Sequence, residues 1–189
     1  MSWLEIVAAM LGLACVVLTI RRHVACWPTG LLMVLVYIVI FYRAKLYSDM
    51  LLQVVYVFLQ LYGWYAWLHG GPARTPLVVG RVPARQILAW GILAVAASLS
   101  LGGAMHTYTD ASFPFVDAVT TVASLIAQWW MGRKLLESWL LWILVDVISV
   151  GLYFAKALYP TAILYLVFLG LASWGWFEWR NAWKSRVAA

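Results

Sequence analysis

The sequence predicts an all-α membrane protein of seven transmembrane helices, arranged as two parallel three-helix repeats joined by one connecting helix (3+1+3). Three observations carry this reading. Of the 189 residues, 66% are hydrophobic and only 11% charged, far from the balance of soluble globular domains. Seven apolar runs, at residues 3–20, 24–42, 49–68, 86–105, 114–131, 138–157 and 159–179, each approach the ~20 residues a helix needs to cross ~30 Å of hydrocarbon. Residues 3–67 and 115–179 also align without a gap at an offset of 112. Glu5 falls on Asp117, Arg21 on Arg133, Trp27 on Trp139, Leu46-Tyr47 on Leu158-Tyr159, and Gly63-Trp64-x-x-Trp67 on Gly175-Trp176-x-x-Trp179.

Each element has its own justification. The first run is read as span one rather than a cleaved signal, because Arg21 and Arg22 follow the apolar stretch instead of preceding it. Spans two and three complete repeat one (3–67). Gly70-Gly71-Pro72-Ala73-Arg74-Thr75-Pro76 then forms the longest break, a turn-and-loop run. The linker helix (86–105) has no counterpart in either copy and carries the chain back across. Gly102-Gly103 and the polar stretch His106 to Pro114 mark its outer end. Spans five to seven form repeat two (115–179). The loops are too short to hold a further domain, so residues 1–189 read as a single polytopic membrane domain.

Orientation follows from counting basic residues. The N-terminus and the 2–3, 4–5 and 6–7 loops carry three: Arg43, Lys45 and Lys156. The 1–2, 3–4 and 5–6 loops and the C-terminus carry ten: Arg21, Arg22, Arg74, Arg81, Arg85, Arg133, Lys134, Arg180, Lys184 and Arg186. The positive-inside rule therefore places the N-terminus outside and the C-terminus in the cytoplasm. The net charge of +6 suits an anionic inner leaflet and calls for no nucleic acid. With an odd number of spans per repeat plus one linker, the two triplets run parallel, about an axis along the membrane normal. That is the SWEET-like arrangement, expected to hold a substrate between the repeats near the membrane midplane.

Asp146 is the sharpest single residue. It lies near the centre of span six, where a carboxylate costs about 2.5–3.5 kcal/mol on insertion scales and so should face a polar cavity or a partner. Trp139, Trp142, Asp146, Ser149 and Tyr153 recur at steps of three and four, hence on one helix face. Span three carries a second face: Gln53, Tyr56, Gln60, Gly63 with Trp64, and Trp67. At the repeat offset these match Tyr165, Phe168, Ala172, Gly175 with Trp176, and Trp179, while Asp146 matches Val34. A symmetric frame with asymmetric polar groups is what one asymmetric small molecule requires. The candidate substrate contacts are Gln53, Tyr56, Gln60, Trp64, Trp142, Asp146, Ser149 and Trp176.

The competing readings are structural. A mid-span carboxylate can be held by neighbouring helices, and Glu5 and Asp117 read first as favourable charges at helix N-termini. Of the 13 Trp residues, Trp3, Trp90, Trp179 and Trp183 read as interface-belt residues. Cys15 and Cys26 read as small hydrophobes, and His23, His69 and His106 as solvated loop residues. Neither a metal site nor a cofactor is read from these spacings. The absence of H-E-x-x-H, Walker A, G-x-G-x-x-G and G-x-S-x-G patterns leaves no enzyme motif.

Several segments carry a family resemblance: Trp3-Leu4-Glu5, Leu46-Tyr47-Ser48-Asp49-Met50-Leu51-Leu52-Gln53, Tyr62-Gly63-Trp64-Tyr65-Ala66-Trp67, Arg133-Lys134-x-x-Glu137-Ser138-Trp139-Leu140-Leu141-Trp142 and Val147-Ile148-Ser149-Val150. Together, in this order, they resemble the PnuC family of bacterial vitamin transporters over nearly the whole chain, most weakly in span four. The resemblance implies a SWEET-like fold in the inner membrane and uptake of nicotinamide riboside by facilitated diffusion, followed by trapping by a cytoplasmic kinase. It also implies assembly as a homo-oligomer, with a trimer suggested. Relatives of this family take up thiamine or riboflavin instead. A pyridinium cation with a ribose suits aromatic faces, an amide and a carboxylate, and thiamine, also a cation, suits them nearly as well. Asparagine is common in the nicotinamide riboside transporters at the positions of Gln60 and Asp146, so the substrate stays open between the two vitamins. A different class of function, a non-transporting membrane scaffold whose repeats only pack helices or recruit a partner, is opposed by the intramembrane carboxylate in its polar stripe.

Overall fold

A computed structural model describes residues 3–43, 45, 47–109 and 112–188, without the side chains of Tyr47 and Ser48. Leu46 of the repeated Leu-Tyr pair and Asp110 of the polar stretch after span four lie outside the described residues. Seven α-helices occur among those described: α1 Trp3–Ile20, α2 Cys26–Arg43, α3 Tyr47–His69, α4 Ala84–Tyr108, α5 Pro114–Gly132, α6 Ser138–Ala155 and α7 Tyr159–Ala188. Six of them are long and apolar enough to cross a membrane. The exception is α5, expected as a span. Asp117, Thr120, Thr121, Ser124 and Gln128 hold down its hydropathy although its length of 19 residues would suffice.

Two other helices outrun their expected ends. The Gly102-Gly103 pair does not stop α4, which continues through His106 to Tyr108. Thr107 and Thr109 turn their hydroxyls back onto the Gly103 and Met105 carbonyls, so these polar residues do not break the helix. Gly102 serves packing instead: a Cβ there would collide with the Phe115 ring. α7 runs on to Ala188, 30 residues in all. At ~1.5 Å per residue that is about 45 Å, longer than the hydrocarbon is thick, and its charged end, Arg180–Arg186, is the part least suited to hydrocarbon.

The helix ends repeat at the sequence offset. α1 closes with Arg22 in the left-handed region (φ 57°) and the His23 amide donating to the Leu18 carbonyl at 2.9 Å. α5 is followed by Lys134 at φ 57° and the Leu135 amide donating to the Trp130 carbonyl at 3.0 Å. Lys45 (φ 59°) and Ala157 (φ 55°) form the second such pair, their amides bonded to Tyr42 and Phe154. Left-handed backbone costs an ordinary L-residue roughly 1–2 kcal/mol. The same turn is thus made twice with side chains that do not favour it, because closing the carbonyls at a helix C-terminus requires that geometry.

The chain forms two compact units. The first comprises Met1–Val79 with Gly132–Lys134 and Phe177–Ala189, and within it α1 packs on α2 and α2 on α3. The second comprises Gly80–Met131 and Leu135–Trp176. Its core is Val82, Val122, Ile126 and Trp130, with Trp90, Ala94, Ala97 and Leu141 packed against it. Outward positions such as Leu32, Phe58, Leu88, Val147 and Ile163 are exposed and apolar, as a lipid-facing surface requires. Lipid tails are as apolar as these side chains, so helix packing here depends on close contact rather than on hydrophobic burial.

Close contact is arranged by paired glycines and tryptophans. The Trp27 ring lies on Gly63, where a Cβ would collide with three of its carbons. At the matching position the Trp139 ring lies on Gly175, leaving 2.6 Å to a Cβ. Both glycines are needed for what they lack.

Candidate functional site

In the second unit, the α6 stripe divides into packing and polar parts. Trp139 is buried against Gly175, and Tyr153 stacks on Tyr165 with centroids 5.3 Å apart. These two are held by the protein. Between them lie Trp142, half-buried, and Asp146 and Ser149, each 5% exposed. Asp146 and Ser149 sit one turn apart on the same face, and neither has a hydrogen-bond or ion-pair partner among the described residues. Buried polar groups in native proteins are almost always hydrogen-bonded, and a carboxylate in a membrane span is costly. Among the described residues the fully buried side-chain atoms without a hydrogen bond are the ring nitrogens of Trp27 and Trp139, so the Asp146 and Ser149 oxygens keep some exposure and are open to water or a ligand. Trp176, half-buried, ends the unit.

In the first unit, the α3 face carries Gln53 and Tyr56, both half-buried, and Gln60, 6% exposed. Gln60 also lacks a hydrogen-bond partner among the described residues. Its amide passes directly over Gly30, where any Cβ would strike the amide nitrogen and come within 3.1 Å of the Cys15 sulfur. Gly30 therefore makes the space that the long amide occupies. Trp64, four residues after Gln60 and so one turn along α3, is half-buried.

The rest of the Gly-Trp-x-x-Trp motif is structural. Trp67 meets Trp27 edge-on at 5.3 Å and Trp179 at 5.8 Å. Trp179, expected in the interface belt, is fully buried and donates its ring N–H to the Thr19 carbonyl at 3.1 Å. Interior packing overrides the belt preference because the indole finds both neighbours and an acceptor there. Trp3 is well exposed, as a belt residue would be, whereas Trp90 is half-buried and packs edge-on to Trp130 at 5.9 Å.

Sequence reasoning missed three features. The first is a second polar stripe in the same unit as Asp146: Thr121, Ser124 and Gln128 on α5, half-buried and without hydrogen-bond partners among the described residues. Its spacing of three and four was visible in the chain but was absorbed into an apolar run. The second is Glu137, buried, accepting from Arg81 Nε and from the Val82 amide, both at 2.8 Å. The third is Lys134, counted only as a basic residue of the 5–6 loop but 8% exposed. Its Nζ donates to the Leu77 carbonyl at 2.9 Å and lies 4.1 Å from the Trp67 ring centre. Burial, with the Arg22 charge adding to it, pushes this ammonium down from near 10.5 to about 8.

Buried polar residues on apolar spans make these two faces the candidate site for a small polar solute. Comparison with known proteins agrees. The nicotinamide riboside transporter PnuC of Escherichia coli (strain K12) is 28% identical over 211 residues, covering 98% of this chain and 88% of that protein. PnuC of Neisseria mucosa is 31% identical over 193 residues, covering 94% and 72%. The riboflavin/roseoflavin transporter RibM of Streptomyces davaonensis is 30% identical over 184 residues, covering 94% and 84%. A solved structure, the crystal structure of the vitamin B3 transporter PnuC, superposes with a TM-score of 0.77 at 28% identity, over 97% of this chain and 83% of that one. The chain is a multi-pass membrane transporter for a small molecule. It belongs to the PnuC family, described as Nicotinamide mononucleotide transporter, which matches residues 2–181.

Proposed function

We propose that the chain imports nicotinamide riboside across the bacterial inner membrane by facilitated diffusion, with phosphorylation in the cytoplasm trapping the riboside. The observation that carries this reading is the pair Asp146 and Ser149, buried and unpartnered on a membrane-crossing helix. A pyridinium ring entering a low-dielectric path loses hydration, and a nearby carboxylate offsets part of that loss. Ser149 and the Gln60 amide suit ribose hydroxyls and the carboxamide. The faces of Trp64, Trp142 and Trp176 suit a flat cation at roughly 0.5–2 kcal/mol per ring. Gln53 and Tyr56 extend the α3 face. The names of the Escherichia coli and Neisseria mucosa relatives point to the same substrate.

The parallel 3+1+3 arrangement, with residues 1–189 as one membrane domain, is supported by the left-handed turns that recur at the repeat offset and by the two Trp-on-Gly contacts. The ten-to-three distribution of basic residues supports an outer N-terminus and a cytoplasmic C-terminus. Facilitated diffusion is supported by a sequence without a nucleotide-binding loop. Uptake of labelled riboside into proteoliposomes tests the mechanism: internal and external concentrations should become equal, with or without ATP. Accumulation that depends on a proton gradient would overturn facilitated diffusion and make Asp146 a proton carrier.

A second reading is thiamine as substrate, because it too carries a cationic ring that the Asp146 side chain and the tryptophan faces suit. Competition of unlabelled thiamine against labelled riboside in the same vesicles decides between them.

A further inference from the structure

The first unit contains a cleft of about 320 Å³, within the range of small-ligand sites. Three cations line it, Arg22, Lys134 and Arg186, together with the apolar segment Leu77–Val79. No carboxylate does. Arg22 and Arg186 are exposed and make no ion pair among the described residues. Like charges gathered without a counter-ion raise the energy of the empty site, and the burden falls on Lys134, whose ammonium is pushed down to about 8 by burial and by Arg22. A cleft assembled from three cations lacks an anion.

We propose that this cleft binds the phosphate group of an anionic membrane lipid. Guanidinium groups match phosphate oxygens in a planar, two-pronged geometry, and a lysine supplies a point charge beside them. The position indicates a lipid rather than a solute. Arg22 lies two residues past the end of α1 and Lys134 two residues past the end of α5, at the level where helices leave the membrane. Arg186 lies in the last turn of α7, at the charged end of a helix longer than a span needs. The Leu77–Val79 wall supplies apolar contact for the glycerol and the start of the acyl chains. A basic pocket at the ends of membrane helices is the general form of an anionic headgroup site.

The test uses the purified full chain in neutral detergent and three probes: short-chain phosphatidylglycerol, the matching phosphatidylcholine, and inorganic phosphate. Saturable binding of phosphatidylglycerol is expected, roughly tenfold or more tighter than phosphatidylcholine. The double variant Arg22→Gln/Arg186→Gln should weaken it by a similar factor. The variant Arg180→Gln/Lys184→Gln, which removes the same charge outside the cleft, should not. Equal binding of the two lipids, or equal losses in the two double variants, overturns the site. Inorganic phosphate binding as tightly as phosphatidylglycerol overturns the lipid as its occupant. A thermal melt of each variant confirms that these exposed substitutions leave the fold in place.

Discussion

Replacing Asp146 with asparagine tests the carboxylate through two observables that should move in opposite directions. The side chain is 5% exposed and has no described partner, so the empty protein bears the cost of an unpaired charge in a span. Asparagine keeps the shape and removes the charge. Recovering part of the ~2.5–3.5 kcal/mol insertion cost, of order 1 kcal/mol, should stabilise the empty protein. For a chain of this length that is a rise of roughly 2–4 °C in melting temperature. A cationic substrate loses a charge-assisted contact worth about 1–3 kcal/mol, which is roughly a 5- to 150-fold weaker Kd. Thermal unfolding without substrate and calorimetric titration with nicotinamide riboside and with thiamine measure the two effects. A lower melting temperature with unchanged Kd for both vitamins would show that Asp146 holds helices together, and the reasoning about the α6 face would fail.

The other predictions concern packing, protonation and sidedness. Gly63→Ala and Gly175→Ala each drive a methyl into a tryptophan ring and should lower stability by about 1–3 kcal/mol, whereas Gly151→Ala, with nothing within 4 Å, should not; melting in detergent separates them. Lys134 gives a pH dependence whose sign is fixed by its lowered value. The groups that face it are Arg22, Arg186 and the Cys26 thiol. Below about pH 8 both folded and unfolded chains hold the proton and the cost of the buried charge is fully present. Between about 8 and 10.5 only the unfolded chain keeps it, so stability should rise with pH through that window. Lys134→Met should remove that rise, and an unchanged pH profile in the variant would refute the assignment. Single cysteines at Thr107 and Val187, in a background without Cys15 and Cys26, should label from opposite sides of the membrane, and labelling of both from outside would reverse the topology.

The helices were legible because a membrane span announces itself by length and apolarity, and their ends were legible where a repeat copied them. The offset that aligns Glu5 with Asp117 also aligns Arg22 with Lys134, and the backbone takes the same left-handed turn at both. The α6 polar residues were legible because a charge among apolar neighbours stands out. What escaped were properties set by distant neighbours. Nothing local tells that Trp179 finds an acceptor on Thr19, 160 residues away, or that Lys134 folds onto Trp67 rather than into water. The α5 stripe escaped for a different reason: Thr121, Ser124 and Gln128 are separated by apolar residues, so the run still reads as a span although they lower its hydropathy.

The residues just before α4 look like a free connector, yet they are fastened along most of their length. Leu77 receives Lys134 through its carbonyl and donates its amide to Trp67, while Gly80, Arg81 and Val82 are tied to Leu136 and Glu137. Only residues 70–76, in and around the Pro72–Arg74 turn, remain outside this lacing. For anyone who needs to splice a fluorescent domain, an epitope or a protease site into the chain, the usable window is therefore far narrower than the loop: an insertion at Pro72–Thr75 leaves both fastenings closed, and one five residues later opens them.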